Sequence, residues 1–359
     1  MLPAIFPRKA ILFSAACAVM AAIGVAGPIW AIGPNDQFIP DAPNPLSLGS
    51  VGFFTGIGTG TVISAATNGN QGIVAILTAN HVAQDALNGI FNIGAKAPYS
   101  ATFTIMGYQT YSIVDPVNNP GKLPEDISVM EGIDTQPVNA GAAQNIFNLL
   151  KANIATVTNP GTGNGPFAGA AITNPVSFTQ LGYGLQGQYT SSVGGIPNNP
   201  GYVSTGVSGQ RLFQNNNILQ YSAPATQAYG SYYEPLVRYI YLAPDSAGHG
   251  ASFPGDSGGP YFTGGGSGSI TISIAAGGRL GQTIPINYSN SISAVHVGGS
   301  LSKLVGTGTG IGVPVTPGLY NWLQPFVLNP ATAVPEPAAL ALLGFGGGLL
   351  LLRRRRPTA

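Results

Sequence analysis

The sequence predicts an all-β fold in which many short strands are joined by tight turns. Glycine accounts for 52 of the 359 residues and proline for 30, and only 7% of the residues are charged. Glycine and proline interrupt regular structure, and short apolar runs between them are typical of strands. Hydrophobic residues make up 44% of the chain, which is too much for disorder, and 359 residues are enough for one large β domain or two ordinary ones.

The N-terminal segment, residues 1–31, has the features of a secretory signal peptide. The basic residues Arg8 and Lys9 precede a nearly continuous apolar stretch. A positive start followed by an apolar core is typical of such signals, and cleavage after either Ala26 or Ala31 fits the small residues there. A membrane anchor is the alternative, but the apolar span is short for crossing a bilayer.

The charge balance gives no sign of a nucleic-acid partner. Six of the 13 basic residues lie in the first nine or the last seven positions, which leaves seven basic residues against 11 of the 12 acidic ones once Glu336 is also set aside. The working domain therefore carries a net charge near −4 and has no basic run. Cys17, the only cysteine, lies in the signal segment, so we expect an exported domain without disulfide bonds. The sequence shows no metal-ligand cluster, and no metal or cofactor is expected.

A first group of strands is predicted before residue 135. The predicted strands cover residues 51–54, 58–64, 73–77, 101–106, 108–114 and 127–130. His81 follows the third of them, and residues 82–88 are expected to form a short helical turn. Asp126 directly precedes the last strand.

A second group of strands is predicted after an insertion or linker at residues 139–176, which has some helical periodicity at 145–154. A hairpin is predicted with arms at 211–213 and 218–221, because polar turn residues separate two apolar runs. Further strands are predicted at residues 237–242, 269–275 and 291–297.

Three short segments each offer one residue suited to acyl transfer. They are Leu77-Thr78-Ala79-Asn80-His81, Glu125-Asp126-Ile127-Ser128 and Gly255-Asp256-Ser257-Gly258-Gly259-Pro260. The glycines around Ser257 leave its hydroxyl exposed and let a substrate carbonyl approach the backbone. A serine hydroxyl is a weak nucleophile until a base removes its proton, and histidine has a pKa suited to that task.

The order of His81, Asp126 and Ser257, together with the residues around each, resembles the trypsin-like (chymotrypsin-fold) serine proteases. The resemblance implies that Ser257 is the nucleophile, that His81 is the general base and acid, and that Asp126 orients His81. Asp115 and Asp134 are the rival candidates for the third role.

The resemblance extends to the architecture. Residues 180–184 are similar to the Gly-Trp-Gly strand of that family, and residues 317–323 are similar to its closing strand and terminal helix. This implies two six-stranded antiparallel β-barrels at about 45–135 and 177–326, with a short C-terminal helix, in a protease domain at 32–330.

The resemblance also implies roles around the nucleophile. The backbone amides of Gly255 and Ser257 would form an oxyanion hole for the charge that develops in the transition state. Asp256 would keep this hole in shape by pairing with a new N-terminal amine, for which Ile32 is the candidate.

The substrate pocket is expected to accept apolar side chains. Ala251 lies six residues before Ser257, where family members that cut after lysine or arginine carry an aspartate. The predicted pocket wall at residues 274–278 includes Ala275 and Gly277 and is also small. A basic side chain buried there would lack a partner, which is unfavourable.

Two other serine-hydrolase arrangements fit the sequence less well. Ser257 and the glycines on either side also match the nucleophile elbow of α/β-hydrolases, but that family needs an acid and then a histidine after the serine. The only acidic residue after Ser257 is Glu336, in the terminal tail. A subtilisin order needs an acid before His81, and neither Asp36 nor Asp41 has the matching surroundings.

The C-terminal tail, residues 331–359, resembles the PEP-CTERM sorting signal of bacterial exported proteins. Its three parts are the triplet Pro335-Glu336-Pro337, an apolar run at 338–352 and the basic cluster 353–356. The resemblance implies transient association with the inner membrane and removal of the tail by an exosortase-type processing enzyme. An ordinary, permanent tail anchor is the alternative.

The sequence therefore predicts an exported serine endopeptidase of the cell envelope or extracellular space that acts on polypeptides. The alternative is a catalytically silent surface or biofilm-matrix protein that keeps the protease fold for binding.

Overall fold

The computed structural model describes the two strand-rich parts of the chain and the segment that follows them. The described residues are 50–93, 101–115, 119–136, 141–152, 154–159, 176–185, 187–190, 201–204, 212–221, 228–229, 232–233, 237–240, 252, 254–263, 266–272, 282–288, 291–304 and 307–333. The predicted signal segment, nearly all of the predicted sorting tail and the pocket residues Ala251, Ala275 and Gly277 lie outside them.

Six strands of the first half close into a barrel. They are β1 (Val51–Phe54), β2 (Gly58–Asn68), β3 (Gln71–Thr78), β4 (Ile90–Ile93), β5 (Ala101–Asp115) and β6 (Asn119–Asp134), in the order β1-β2-β3-β6-β5-β4. All neighbours are antiparallel, and β4 pairs back with β1. The barrel interior is filled by fully buried side chains such as Val62, Ile76, Phe91, Phe103 and Met130, as the apolar runs of these strands require.

Six strands of the second half form another ring. They are β8 (Val176–Gly182), β11 (Leu212–Tyr221), β14 (Val237–Ile240), β19 (Thr307–Pro314), β18 (Ser291–Leu304) and β15 (Pro260–Phe262). Each is antiparallel to the next, and β15 pairs with both β18 and β8, which closes the ring. The short strand β7 (Thr156–Val157) adds to β18 in parallel.

Three strand pairs lie outside the two rings. They are β9 (Gly187–Thr190) with β10 (Gly201–Ser204), β12 (Ala228–Tyr229) with β13 (Tyr232–Tyr233), and β16 (Gly266–Ile272) with β17 (Gln282–Tyr288). The prediction that residues 269–275 form an inner strand is therefore wrong for its described part, because β16 pairs with β17 instead of a barrel strand.

The helices are short and follow the strands. They are α1 (Asn80–Ala86), α2 (Ala142–Ala152) and α3 (Pro317–Leu328), with a 3₁₀ turn at Pro330–Ala333. Helix α1 begins two residues earlier than the predicted turn, so His81 lies in its first turn. No described helix is long and apolar enough to span a membrane.

Helix α3 returns the chain from the second ring to the first barrel. Proline at its first position and the Thr316 hydroxyl, which accepts the Leu319 amide at 3.2 Å, start the helix. The Tyr111 and Trp322 rings lie 5.4 Å apart, and the Ser64 hydroxyl donates to the Val327 carbonyl at 2.9 Å. The C-terminal segment therefore packs on strands β2 and β5.

The structure confirms the predicted all-β class and the short C-terminal helix, and it corrects further local predictions. The hairpin at 211–221 is wrong, since Leu212–Tyr221 is one strand that pairs with β8 from Leu212 to Ile218 without interruption. Residues 317–323 do not form the last strand of the fold, because Pro317 already begins α3. The last described strand along the chain is β19.

Candidate active site

Asp126 holds His81 by two hydrogen bonds. The backbone amide of His81 donates to Oδ1 at 2.9 Å, and the ring Nδ1 lies 2.7 Å from Oδ2. An ionised carboxylate can only accept, so Nδ1 carries the proton and Nε2 is left as the basic nitrogen. The Asp126 side chain is 1% exposed and the His81 side chain 39%, so the ring faces solvent from a buried support.

The strand register explains why these residues meet. Strand β3 ends just before His81 and pairs with β6, with Thr78 opposite Ser128, which follows Asp126 by two residues. The residue before α1 is Ala79, which has no side chain able to cap the helix. Asp126 supplies the missing acceptor from the neighbouring strand, which satisfies an amide that the helix leaves unbonded.

Asn80 ties the start of α1 to strands β5 and β6. It is buried, and its Oδ1 accepts the Thr110 hydroxyl at 2.7 Å and the Ser128 hydroxyl at 2.8 Å. The two hydroxyls lie 3.0 Å from each other. Three elements that surround the His81–Asp126 pair are thus joined through one carboxamide.

The rival acids lie elsewhere along the same strands. Asp134 is eight residues beyond Asp126 on β6, roughly 26 Å for an extended strand. Its carboxylate accepts the Gln136 amide at 2.8 Å, and burial, partly offset by that bond, raises the pKa of Asp134 above its usual range. Asp115 pairs with Asn119 at the far end of the β5–β6 hairpin.

The loop that carries Ser257 is held through its carbonyl groups. Four consecutive carbonyls each accept a hydrogen bond: Pro254 from the Leu185 amide at 2.8 Å, Gly255 from the Thr59 hydroxyl at 2.9 Å, Asp256 from the Gly259 amide at 2.9 Å and Ser257 from the Thr59 amide at 2.8 Å. The loop is therefore fixed from both the first barrel and the second ring.

Two glycines of the loop cannot be replaced without rearrangement. Gly255 has φ +98° and Gly258 has φ +88°, a left-handed conformation that glycine adopts without strain. A Cβ on Gly258 would also collide with the Thr59 carbonyl and the Thr78 hydroxyl. Gly258 is thus required by the close approach of the loop to strands β2 and β3, and Gly255 by its own backbone conformation and its approach to Gly184.

The amides of Gly255 and Ser257 remain available as donors. Within the described part of the chain, neither donates to a carbonyl, whereas the Gly258 amide donates to His296 at 2.7 Å and the Gly259 amide to Asp256. Backbone amides that have no acceptor among the described residues and lie at the half-buried Ser257 can stabilise negative charge on a bound oxygen.

Gly58 lies against both Val82 and the Ser257 carbonyl. A Cβ on Gly58 would lie 2.6 Å from Val82, the neighbour of His81, and 2.9 Å from the Ser257 carbonyl oxygen. Among the described residues, the Ser257 hydroxyl makes no hydrogen bond, with His81 or with another group. Hydrogen bonds of this kind in substrate-free sites often form only when substrate binds.

Asp256 is buried beneath the loop. Its Oδ1 accepts the Gly184 amide at 2.8 Å, and a Cβ on either Gly182 or Gly184 would contact this carboxylate too closely. Ile32, the predicted amine partner, lies outside the described residues.

His296, a buried residue of strand β18, contacts the nucleophile loop directly. Its carbonyl accepts the Gly258 amide, and its own amide donates to the Gly259 carbonyl at 2.8 Å. Its Nδ1 lies 2.9 Å from the Tyr261 hydroxyl. Burial, with a smaller effect of His81, lowers the pKa of His296 to about 3, so this ring is neutral at any ordinary pH.

The predicted pocket residues Ala251, Ala275 and Gly277 lie outside the described part of the chain, but Ser252, the neighbour of Ala251, lies within it. The buried hydroxyl of Ser252 donates to Oε1 of Gln180 at 2.9 Å. No group of three or more histidine, cysteine, aspartate or glutamate side chains among the described residues is placed to bind a metal ion.

No family model matches the chain, and no curated protein matches its sequence. Matches do exist among solved structures. One is neuropsin, a serine protease expressed in the limbic system of mouse brain, which has 12% sequence identity and a TM-score of 0.39, with 79% of this chain and 96% of neuropsin covered. The activity of this chain is therefore inferred from its own residues.

Proposed function

We propose that the chain is an exported serine endopeptidase in which Ser257, His81 and Asp126 hydrolyse peptide bonds. The observation that carries the proposal is the double hydrogen bond from His81 to the buried Asp126, at the edge of the barrel where the Ser257 loop is bonded. Few structural needs call for a half-exposed histidine held in one tautomer near a loop whose serine hydroxyl has no hydrogen-bond partner among the described residues. General-base activation of that hydroxyl does.

In the first step, Nε2 of His81 takes the Ser257 hydroxyl proton as Oγ attacks the peptide carbonyl carbon. The carbonyl oxygen becomes an oxyanion, which the amides of Gly255 and Ser257 stabilise. Asp126 stabilises the imidazolium, which then protonates the leaving amine as the C–N bond breaks.

In the second step, water replaces the amine. His81 removes a proton from the water, the hydroxide adds to the acyl ester, and the same two amides accept the second oxyanion. His81 returns the proton to Oγ as the ester bond breaks, which releases the carboxylic acid product.

A fluorophosphonate probe tests the proposal. We expect stoichiometric labelling of the purified protein, with the adduct located on Ser257 by peptide mass spectrometry, and no labelling of Ser257→Ala. Labelling should fall strongly in His81→Ala, because the hydroxyl loses its base. An unlabelled, correctly folded wild-type protein would overturn the proposal and favour the catalytically silent binding protein.

The substrate preference is proposed from the sequence, which has no acidic residue at the predicted pocket positions. Ala251 stands six residues before Ser257, and the neighbouring Ser252 hydroxyl is already bonded to Gln180. A lysine or arginine head group would be buried without an anionic partner, so we propose cleavage after apolar residues. Discrimination among apolar side chains should be shallow, since one methylene is worth about 1–3 kcal/mol in such a pocket. Profiling with a peptide library checks this, and a dominant preference for arginine or lysine would contradict it.

The sequence features of both ends support an exported location. We propose that the signal segment is removed after Ala26 or Ala31 and that an exosortase-type enzyme removes the tail near Pro335-Glu336-Pro337. The order of triplet, apolar run and arginines supports brief retention at the inner membrane, since 15 apolar residues with four glycines are short for the roughly 20 of a stable span. Intact-mass measurement of the exported protein decides, because a mass that includes residues 340–356 would indicate a permanent anchor.

A further inference from the structure

Thr59 uses every polar group it has, and three of its four hydrogen bonds join the first barrel to the nucleophile loop and its support. Its amide donates to the Ser257 carbonyl at 2.8 Å, and its hydroxyl donates to the Gly255 carbonyl at 2.9 Å. The same hydroxyl accepts the Tyr183 amide at 3.0 Å, and the Thr59 carbonyl accepts the Thr78 hydroxyl at 2.7 Å. The residue is fully buried, so water does not replace any of these partners.

The two carbonyls that Thr59 binds flank the peptide bond between Asp256 and Ser257. Because peptide units are planar, fixing a carbonyl also fixes the direction of the amide on the same unit. With the units on both sides held by Thr59, the unit between them cannot rotate freely. The Ser257 amide, which belongs to that middle unit, is thereby held in one direction.

The Thr59 hydroxyl also connects the loop to the residues that follow strand β8. It bridges the Gly255 carbonyl and the Tyr183 amide, and the next amide, that of Gly184, donates to the Asp256 carboxylate. Replacing the hydroxyl by a methyl group would leave a buried carbonyl and a buried amide without this partner, which is unfavourable. The loop would then be free to turn its carbonyls toward other donors.

We propose that Thr59 is a positioning residue that, from the opposite barrel, sets the Ser257 amide, one of the two oxyanion-binding amides. This inference rests on the proposed hydrolase function, which it deepens. Thr59 does not touch substrate, and it acts only through the carbonyls of Gly255 and Ser257. The chain has no cysteine outside residues 1–31, so the exported domain has no disulfide bond to hold this loop, and hydrogen bonds from Thr59 take that role.

The chain offers a matched control two residues away. Thr61 lies on the same strand, is 1% exposed, and its buried hydroxyl has no hydrogen-bond partner among the residues that the structure describes. Thr59→Val and Thr61→Val therefore remove the same atom from the same barrel wall. Only the first removes a contact to the nucleophile loop, and Thr59→Ser keeps that contact.

The test compares kcat, KM and transition-state affinity, each normalised to the active-site concentration from phosphonate titration. In Thr59→Val we expect kcat to fall about 10- to 100-fold, somewhat less than deletion of an oxyanion donor costs, with KM nearly unchanged. Affinity for a peptide aldehyde inhibitor, which forms a tetrahedral adduct, should fall in parallel. Thr59→Ser and Thr61→Val should stay within about threefold of the wild type.

A merely structural role would lower the titrated active fraction and leave kcat per active site unchanged, and that result would overturn the inference. If Thr59→Val does not fold, Thr59→Ala is measured in the same way. Amide hydrogen exchange over residues 254–259 gives a readout that needs no turnover. Equal exchange in Thr59→Val and Thr61→Val would also overturn the inference, whereas failure of the wild type to react with phosphonate would overturn the hydrolase function itself.

Discussion

The carboxylate of Asp126 accepts both the backbone amide and the ring Nδ1 of His81. One buried side chain thus fixes the position of the helix that carries the histidine and the tautomer of its ring. The proposed base is therefore set by strand β6, while the proposed nucleophile is set by a loop of the second ring. Four predictions follow from this division.

Loss of Ser257 or His81 should abolish turnover and leave the fold intact. Neither Ser257→Ala nor His81→Ala removes a buried contact that holds the barrels together. Residues that act as a unit are not additive, so the double variant should be only slightly slower than either single one. Single-turnover kinetics on one peptide substrate measure this, and substantial hydrolysis by Ser257→Ala would contradict the mechanism.

Asp126→Asn should reduce kcat by about 10⁴-fold, because an amide can donate to Nδ1 and so favours the wrong tautomer. The control is Asp134→Asn, which changes an acid on the same strand far from His81. We expect its rate to stay near that of the wild type. A near-normal rate in Asp126→Asn would assign the orienting role to another acid.

A neutral and a negatively charged replacement of Asn80 should change the pH dependence of the reaction in different ways. Asn80→Ala removes the carboxamide that Thr110 and Ser128 bind, so kcat should fall while the pH of half-maximal rate stays the same. Asn80→Asp keeps both hydroxyl bonds but adds a negative charge beside His81, which should stabilise the protonated ring. The acid limb of the kcat/KM profile should then move to higher pH in Asn80→Asp alone. Identical profiles in the two variants would show that Asn80 does not lie in the electrostatic environment of the base.

His296 should make the protein sensitive to acid. Burial lowers the pKa of this histidine to about 3, whereas in the unfolded chain it is near 6.5. The unfolded state therefore binds an extra proton below pH 6.5, and the free energy of unfolding should fall by about 1.4 kcal/mol per pH unit toward pH 3. His296→Gln, which can still bond the Tyr261 hydroxyl, should lose this dependence. Urea unfolding at pH 7 and pH 4.5 measures it, and equal losses in both proteins would contradict the assignment.

Local patterns predict the elements of this fold better than they predict the contacts between elements. The strands around His81 and Asp126 are visible in the sequence because short β-branched runs end at turn residues. The predicted hairpin at 211–221 fails because its polar turn residues also fit one strand when β8 pairs along its length, so tertiary pairing overrides the turn preference.

The same limit applies to the site. The nucleophile, base and acid lie in recognisable segments, but Thr59 contacts Gly255 across 196 residues of chain through a backbone carbonyl. No local pattern marks such a bond, because the acceptor is present in every residue. His296 was missed for a similar reason, since a lone histidine in an apolar strand has the pattern of a core residue.

The docking of α3 determines where a pull on the C-terminus is felt. The last described residues are pinned to the first barrel, where the Gln109 side chain donates to the Thr332 carbonyl at 2.9 Å and Ala333 is fully buried. A force applied to the chain at residue 334 would therefore be transmitted to the first barrel and not to strand β19, which lies before α3. With the proposed membrane tether in place, a pull on the tail would be transmitted through the barrel wall that carries Gln109, and not through the junction where Ser257 meets the first barrel.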